Sequence, residues 1–301
     1  MGGGSALGHW HQNDGEIRQV KILSFGGGTD STAILCGWVE RGLKPFDLIL
    51  FADTGGERPH TYEHIERMQE WLRRHEMPPI TIVRKVRRDG RVHALEENCL
   101  EAKMLPSLAY GFKGCSQKFK IAPQEKYVNN HAQAKALWRG GGKVDKFIGY
   151  EFGESRRWMK APMEDEKYRY HYPLVEWGWS RPECLAAIDR AGLPRPGKSS
   201  CFFCPASTKP EIAALKQEYP VLFQRALAME ANAKLTSVKG LGRRFSWREY
   251  DTTLEEPDVV PCISCADGNN SCNTKLSHHI IFHCFYNILL VSYYTPLRNT
   301  T

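Results

Sequence analysis

The chain has 301 residues, 42% of them hydrophobic and 25% charged, so it can bury a full core and is unlike a miniprotein, a collagen-like fibre or a long disordered chain. Its 41 Lys and Arg against 34 Asp and Glu leave a net charge of +7, compatible with polyphosphate or nucleic-acid partners without requiring them. Ten cysteines follow no apolar signal segment, and the longest apolar run, 280–294, is interrupted by His283 and Asn287, so the expectation is a cytoplasmic protein of a reducing compartment with no membrane span.

Residues 1–18, rich in Gly, His and Asn, read as a flexible leader. The run 20–25 is short, apolar and β-branched and ends in three glycines, which predicts a buried strand. Residues 30–41 then place Thr32, Ile34, Leu35, Trp38 and Val39 at helical spacing before Gly42 as a stop. A second apolar run, 47–52, leads into Asp53-Thr54-Gly55-Gly56, a helix is expected over 61–74 and a third strand over 80–83. Further on, 144–150 reads as a strand and 181–191 and 211–233 as helices. This alternation predicts an α/β, Rossmann-like, doubly wound and mainly parallel sheet over 19–175, followed by a helical, Cys-containing portion of the same core over 176–273. From Thr274 onward there is no Gly, no Ala and no acidic residue, so 274–301 reads as an appended, out-of-frame or otherwise doubtful tail.

Gly26-Gly27-Gly28-Thr29-Asp30-Ser31 lies where a strand feeds a helix, a place where backbone N–H groups converge on an anion. Glycines permit close approach of phosphate oxygens, and Asp30 or Ser31 could cap the helix. The loop resembles the Ser-Gly-Gly-x-Asp-Ser signature of the PP-loop superfamily, the adenine-nucleotide α-hydrolase type. Four later segments resemble its phosphoadenosine phosphosulfate reductase-like family in the same order. They are Asp53-Thr54-Gly55 with Glu57 and Tyr62; Gly114-Cys115-Ser116 with Lys118, Lys120, Ile121 and Pro123; Gly149 with Glu154-Ser155-Arg156-Arg157; and Tyr172-Pro173-Leu174-Val175-Glu176-Trp177 followed by Ser200-Cys201-Phe202-Phe203-Cys204-Pro205. The match spans roughly residues 20–268.

The resemblance implies a sheet that binds ATP, or the sulfonucleotides PAPS or APS, and splits the α–β phosphate bond of ATP to adenylate a substrate. It assigns the nucleotide to Gly26, Gly27, Gly28, Thr29, Asp30, Ser31, Asp53, Thr54, Gly55, Gly149, Glu154 and Ser155, with Asp53 on the adenosine side. Asp30, Ser31 and Arg157 are the catalytic candidates. Gly26 replaces the family's first Ser, Thr29 a frequent Lys, and Glu151 an expected Arg. Phosphate contacts would therefore fall on backbone amides, on Arg157 and on Mg²⁺.

Cys201-Phe202-Phe203-Cys204 has the Cys-x-x-Cys spacing that lets two thiolates face one metal or cluster. The resemblance adds Cys115 as third ligand, where iron–sulfur reductases of the family have two adjacent cysteines and this chain has Ser116. One outcome is a [4Fe-4S] cluster on Cys115, Cys201 and Cys204 with an iron open to sulfur, which favours sulfur transfer to an acceptor such as tRNA or DNA. In another, Cys262 or Cys265 completes a closed site for a cluster or Zn²⁺; a third leaves free or redox-active thiols. Cys36 and Cys184 read as core residues; Cys99 is ambiguous.

Two basic runs, Arg84 to Arg91 and Lys234 to Arg248, read as solvated faces or as arms for a nucleic-acid backbone, with Lys85 and Arg88 open to a small substrate's phosphates. His60, His64, His75 and His93 lack metal-ligand spacing. The resulting expectation is an AMP-forming, ATP-dependent sulfurtransferase with a sulfur donor. Its alternatives are a sulfonucleotide reductase served by a thiol reductant protein and a non-catalytic nucleotide-binding module. A homodimer is open.

Overall fold

In the computed structural model, which describes residues 19–255, five short strands form one all-parallel sheet. They are β1 (Lys21–Ser24), β2 (Leu48–Asp53), β3 (Ile80–Arg84), β4 (Val144–Ile148) and β5 (Tyr168–His171), in the order β3-β2-β1-β4-β5. Leu23 pairs with Ile49 on one side and Phe147 on the other. Because side chains alternate along a strand, consecutive apolar residues supply two opposite cores. Leu23, Ile49, Phe51 and Phe147 face one, while Ile22, Leu50 and Val144 face the other.

The first face is covered by α1 (Thr29–Glu40), α2 (Pro59–Arg74) and α9 (Arg181–Arg190). The second is covered by α5 (Ala122–Asn130) and α6 (Ala132–Arg139), through Val128, Ala134 and Leu137. The arrangement is the expected Rossmann-like, doubly wound α/β fold. In α2, Ile65, Met68 and Leu72 recur every three or four residues and are buried, and Pro59 stands at its first turn, where its missing N–H costs nothing. Truncating a wholly buried residue such as Leu35 to Ala would cost about 2–5 kcal/mol.

A third core lies beyond the sheet. It joins α3 (Leu95–Glu101), α10 (Lys209–Glu218), α11 (Pro220–Asn232) and α12 (Trp247–Glu255) around Phe202, Phe203, Phe223 and Trp247. The short α4 (Gly114–Ser116) runs through a π turn, Gln117–Ile121, into α5; α7 (Ser155–Trp158) and α8 (Pro173–Glu176) are short helices between β4 and α9. The described part of the C-terminal portion belongs to the same compact unit as the sheet.

Several expectations are corrected. The helix expected over 211–233 is two helices, α10 and α11, because Pro220 has no N–H to continue the first. The strand expected over 144–150 ends at Ile148, and β5 and α3 to α6 have no counterpart among the expected elements. The leader 1–18, Cys262, Cys265 and the tail 274–301 lie outside the described residues. No helix among the described residues is long and apolar enough to cross a membrane.

Candidate functional site: a glycine loop beside buried thiols

Strand order reverses between β1 and β4, and the crevice beyond the carboxyl ends of those strands is where open α/β sheets bind ligands. The loop 26–28 leaves β1 there and Gly149 leaves β4. Gly27 has φ +73°, and a Cβ on it would sit 3.2 Å from Thr61 Cγ2 and 3.3 Å from Phe51. Only glycine meets both demands without strain. Gly28 is the helix cap of α1, with no side-chain cap bond, so neither Asp30 nor Ser31 caps the helix as expected. Ser31 instead shapes the loop, its Oγ accepting from Gly26 N–H at 3.1 Å and donating to Gly28 O at 3.3 Å. The first-turn amides of α1, at Thr29, Asp30 and Ser31, have no partner within the helix and face the crevice end of the dipole.

The linear sequence offers no role for His64. The residue is buried and bonds Thr32 Oγ1 through Nε2 at 2.8 Å, while Thr32 Oγ1 donates to Gly28 O at 2.9 Å. Both bonds hold together only when Nε2 carries the proton. Burial lowers the His64 pKa to about 4, with Arg67 and His60 acting in the same direction, so the ring is neutral under the loop at pH 7.

Charge gathers on the β4 side. Arg181, at the start of α9, lies 3.0 Å from Asp30 and 3.1 Å from Glu151. Arg157 pairs with Glu154 at 2.6 Å and stacks over Tyr150 at 4.6 Å. Burial raises the Asp30 carboxyl above the ordinary range; Arg181 pulls it back and Glu154 pushes it further up. Glu151 is raised for the same first reason. Arg181 thus brings a cation from a distant segment to both carboxylates. Gly149 lets β4 approach α1, since a Cβ there would be 3.0 Å from Asp30 Cβ and 3.1 Å from Ser31 N. Ser155 is exposed at the start of α7.

Asp53, at the end of β2, has both carboxylate oxygens engaged. Oδ1 accepts from Gly55 N–H and Tyr62 OH, each at 2.8 Å, and Oδ2 accepts from Arg84 Nε at 2.8 Å. The residue organises the turn after β2. Gly55 needs its φ of +74°, and a Cβ on it would meet Ala94 at 2.7 Å.

The next residues of that turn form a wall shared with the cysteines. Glu57 has a fully buried side chain, and Lys120 from the π turn reaches its Oε1 at 3.0 Å. Burial disfavours the Lys120 charge, but Glu57 and the thiols of Cys201 and Cys204 outweigh it and raise its pKa. Thr54 Oγ1 lies 3.1 Å from Cys201 Sγ, and Phe202 N–H donates to Gly56 O at 2.8 Å. Ser199 closes the circuit, donating to Gly26 O at 2.6 Å with Glu57 Oε2 3.5 Å away.

Cys201, Cys204 and Cys115 pack on one apolar cluster, Cys201 buried and the other two half-buried. Burial raises the Cys201 and Cys204 thiols; Glu57 pushes Cys201 up further, and Cys115 does the same to Cys204. Among the described residues no three His, Cys, Asp or Glu side chains are spaced to hold a single metal ion. Three cysteine donors in one apolar cluster, two of them with Lys120 nearby, fit a [4Fe-4S] cluster in donor chemistry. Cys36 and Cys184 are core residues as expected, and Cys99 is one too, with burial pushing each thiol up to about 12.

The first basic run is largely spoken for: Arg84 pairs with Asp53, Arg87 with Glu97 and Glu101, and Arg91 with Asp89. Lys85 lies over the Phe119 ring at 4.2 Å. A cavity of about 480 Å³ lies between β3 and α5, lined by Ile82, Arg84 and Tyr127 among others, and none of its lining comes from the glycine loop.

No protein-family model matches the chain, and no curated protein matches it. Among solved structures it is similar to the U34-tRNA thiolase NcsA from Methanococcus maripaludis with its [4Fe-4S] cluster. That likeness has 12% identity and a TM-score of 0.38 and covers 86% of this chain and 80% of that one. A likeness that weak carries no weight for the chemistry, which rests on this chain's own residues.

Proposed function

We propose that this protein is an ATP-dependent enzyme of the PP-loop type that adenylates an acceptor and passes sulfur to it. The observation that carries the reading is the shared wall: Ser199 bonds the glycine loop at Gly26, and Cys201, two residues on, sits against Thr54 and Glu57. The glycine loop and the Cys201 segment are thus joined by a side-chain contact between residues far apart in the chain, which supports a phosphate site and a thiol site acting together.

In this reading the ATP phosphates rest on the amides of Gly27 and Gly28 and of the first turn of α1, whose partial positive charge favours an anion. Mg²⁺ arriving with the nucleotide screens the remaining phosphate charge. Arg157 releases Glu154 to contact phosphate, and Arg181 keeps Asp30 and Glu151 from repelling it. An acceptor oxygen attacks the α-phosphorus, its bond to phosphorus forms as the α–β bridging bond breaks, and pyrophosphate leaves with the electron pair. A sulfur nucleophile from a donor then displaces AMP from the acceptor. Cys115, Cys201 and Cys204 would hold the [4Fe-4S] cluster, which when bound supplies an iron site for that sulfur. Lys120 balances the negative charge of the thiolates, and the Phe202 and Phe203 side chains exclude water from them.

The test is anaerobic purification with iron and sulfide analysis, combined with release of pyrophosphate from ATP in the presence of RNA or DNA. About four irons with matching sulfide, lost in Cys201→Ser and Cys115→Ser, together with polymer-stimulated pyrophosphate release, are expected. Sulfite release from PAPS or APS with a dithiol would instead establish a reductase. Nucleotide binding without either turnover would leave a binding module.

A further inference from the structure

The second basic run is a feature that the nucleotide chemistry leaves unused. It forms the loop between α11 and α12, and one carboxylate sets its shape. Glu230, 6% exposed near the end of α11, accepts the N–H groups of Leu241 at 2.7 Å, Trp247 at 2.9 Å and Arg248 at 3.1 Å. Three charge-assisted bonds to a buried acceptor fix the backbone, and the wholly buried Trp247 anchors its far end. The loop therefore presents Lys234, Arg243 and Arg244 to solvent from a rigid frame.

This loop packs against the segment that leads to Cys115. Lys234 N–H donates to Lys103 O at 2.9 Å, and a Cβ on Gly111 would lie 3.5 Å from Arg243 Nη2. Phe112 follows Gly111 and is 69% exposed, with exposed Lys113 next to it. Unlike Arg84, Arg87 and Arg91, none of Lys103, Lys113, Lys234, Arg243 and Arg244 has an ion-pair partner among the described residues. An uncovered aromatic ring beside uncompensated cations matches a ligand that carries both flat π faces and regularly spaced negative charge.

We propose that this surface binds a single-stranded polynucleotide, with phosphates on Lys234, Arg243 and Arg244 and an unpaired base stacked on Phe112. A duplex satisfies the cations but keeps its base faces stacked internally, so it leaves Phe112 without a partner. An acidic polypeptide offers a ring only where an aromatic residue happens to fall, whereas every nucleotide of a single strand pairs one charge with one π face. The strand would run beside Cys115, three residues on from Phe112; only that consequence rests on the proposed sulfur chemistry. Binding itself needs no ATP and no cluster.

The full chain would be titrated, without nucleotide, into labelled oligouridylate, oligothymidylate and a mixed-sequence duplex of equal length, read by fluorescence anisotropy over a range of salt. Single strands are expected to bind more tightly than the duplex, and the uridylate and thymidylate arms tell RNA from DNA. Phe112→Ala should weaken single-strand binding about tenfold, with Phe112→Tyr restoring it. Lys234→Gln combined with Arg244→Gln, which removes two phosphate contacts, should reduce the log–log salt slope by about 1.4. Both sites are exposed, and an unchanged circular-dichroism melt would confirm folding. The proposal is overturned if no oligonucleotide binds, if the duplex or polyglutamate binds as tightly, or if folded Phe112→Ala binds as wild type does.

Discussion

Ser199 Oγ donates a hydrogen bond to the carbonyl oxygen of Gly26 at 2.6 Å, tying two residues 173 positions apart. The bond fixes the glycine loop from outside its own strand–turn–helix unit and places the Cys201 segment alongside it. A neutral hydrogen bond is worth about 1 kcal/mol net, so Ser199→Ala should lower the melting temperature by about 2–4 °C and, because ligand must then order the loop, weaken ATP binding by about fivefold at most. Calorimetric titration with Mg-ATP would show it; unchanged affinity would mean the loop keeps its shape unaided.

Glu57 and Lys120 form the most buried ion pair near the thiols, with the Glu57 side chain fully covered and that of Lys120 35% exposed. Removing one partner of a buried pair costs about 3–5 kcal/mol, and water reaching Lys120 reduces that to about 2 kcal/mol for Glu57→Gln. Glu57→Gln with Lys120→Met should recover part of the loss, because no cation is then left unpaired. Urea unfolding of the two variants measures the difference.

His64 gives the fold a pH dependence with a definite sign. Its pKa is about 4 when folded against an ordinary value of 6.5, so between those values the unfolded chain binds more protons than the folded one. Stability from this residue is therefore complete above pH 6.5 and falls as pH drops toward 4, by about 3 kcal/mol in all. His64→Gln keeps a hydrogen-bonding group beside Thr32 without the titration. In denaturant unfolding the wild type should therefore lose about 3 kcal/mol of stability relative to the variant as pH drops from 6.5 toward 4, a difference that isolates His64 from the carboxylates that titrate in the same range.

Gly149 and Gly153 provide a matched pair. A Cβ on Gly149 presses on the backbone of α1 at Asp30 and Ser31, whereas one on Gly153 meets nothing within 4 Å. Gly149→Ala should cost about 1–3 kcal/mol of stability and weaken nucleotide binding by displacing the first turn of α1, while Gly153→Ala should do neither. Equal behaviour of the two would argue that the β4–α1 contact is unrelated to the nucleotide site.

The strands β1 and β2, helices α1 and α2, the glycine loop and the Cys-x-x-Cys pair were all legible in the linear sequence. Each is encoded locally: β-branched runs set strands, glycines allow the tight turn at Gly27, and apolar spacing defines helices. β5 was not legible, because its four residues, Tyr-Arg-Tyr-His, contain no apolar or β-branched run to mark a strand. Nor were the partners that complete the site. Arg181 pairs with Glu151, His64 supports Thr32, Ser199 holds Gly26 and Asp53 is consumed by Arg84 and Tyr62. These relationships join residues from 9 to 173 positions apart, and nothing in local propensity selects them. The sequence by itself determined the fold class and the chemical types of residue at the site, since short-range sterics and periodicity suffice for both. Only the tertiary structure decided which charges are neutralised and which cations stay free, because ion pairing depends on distances set by packing between elements.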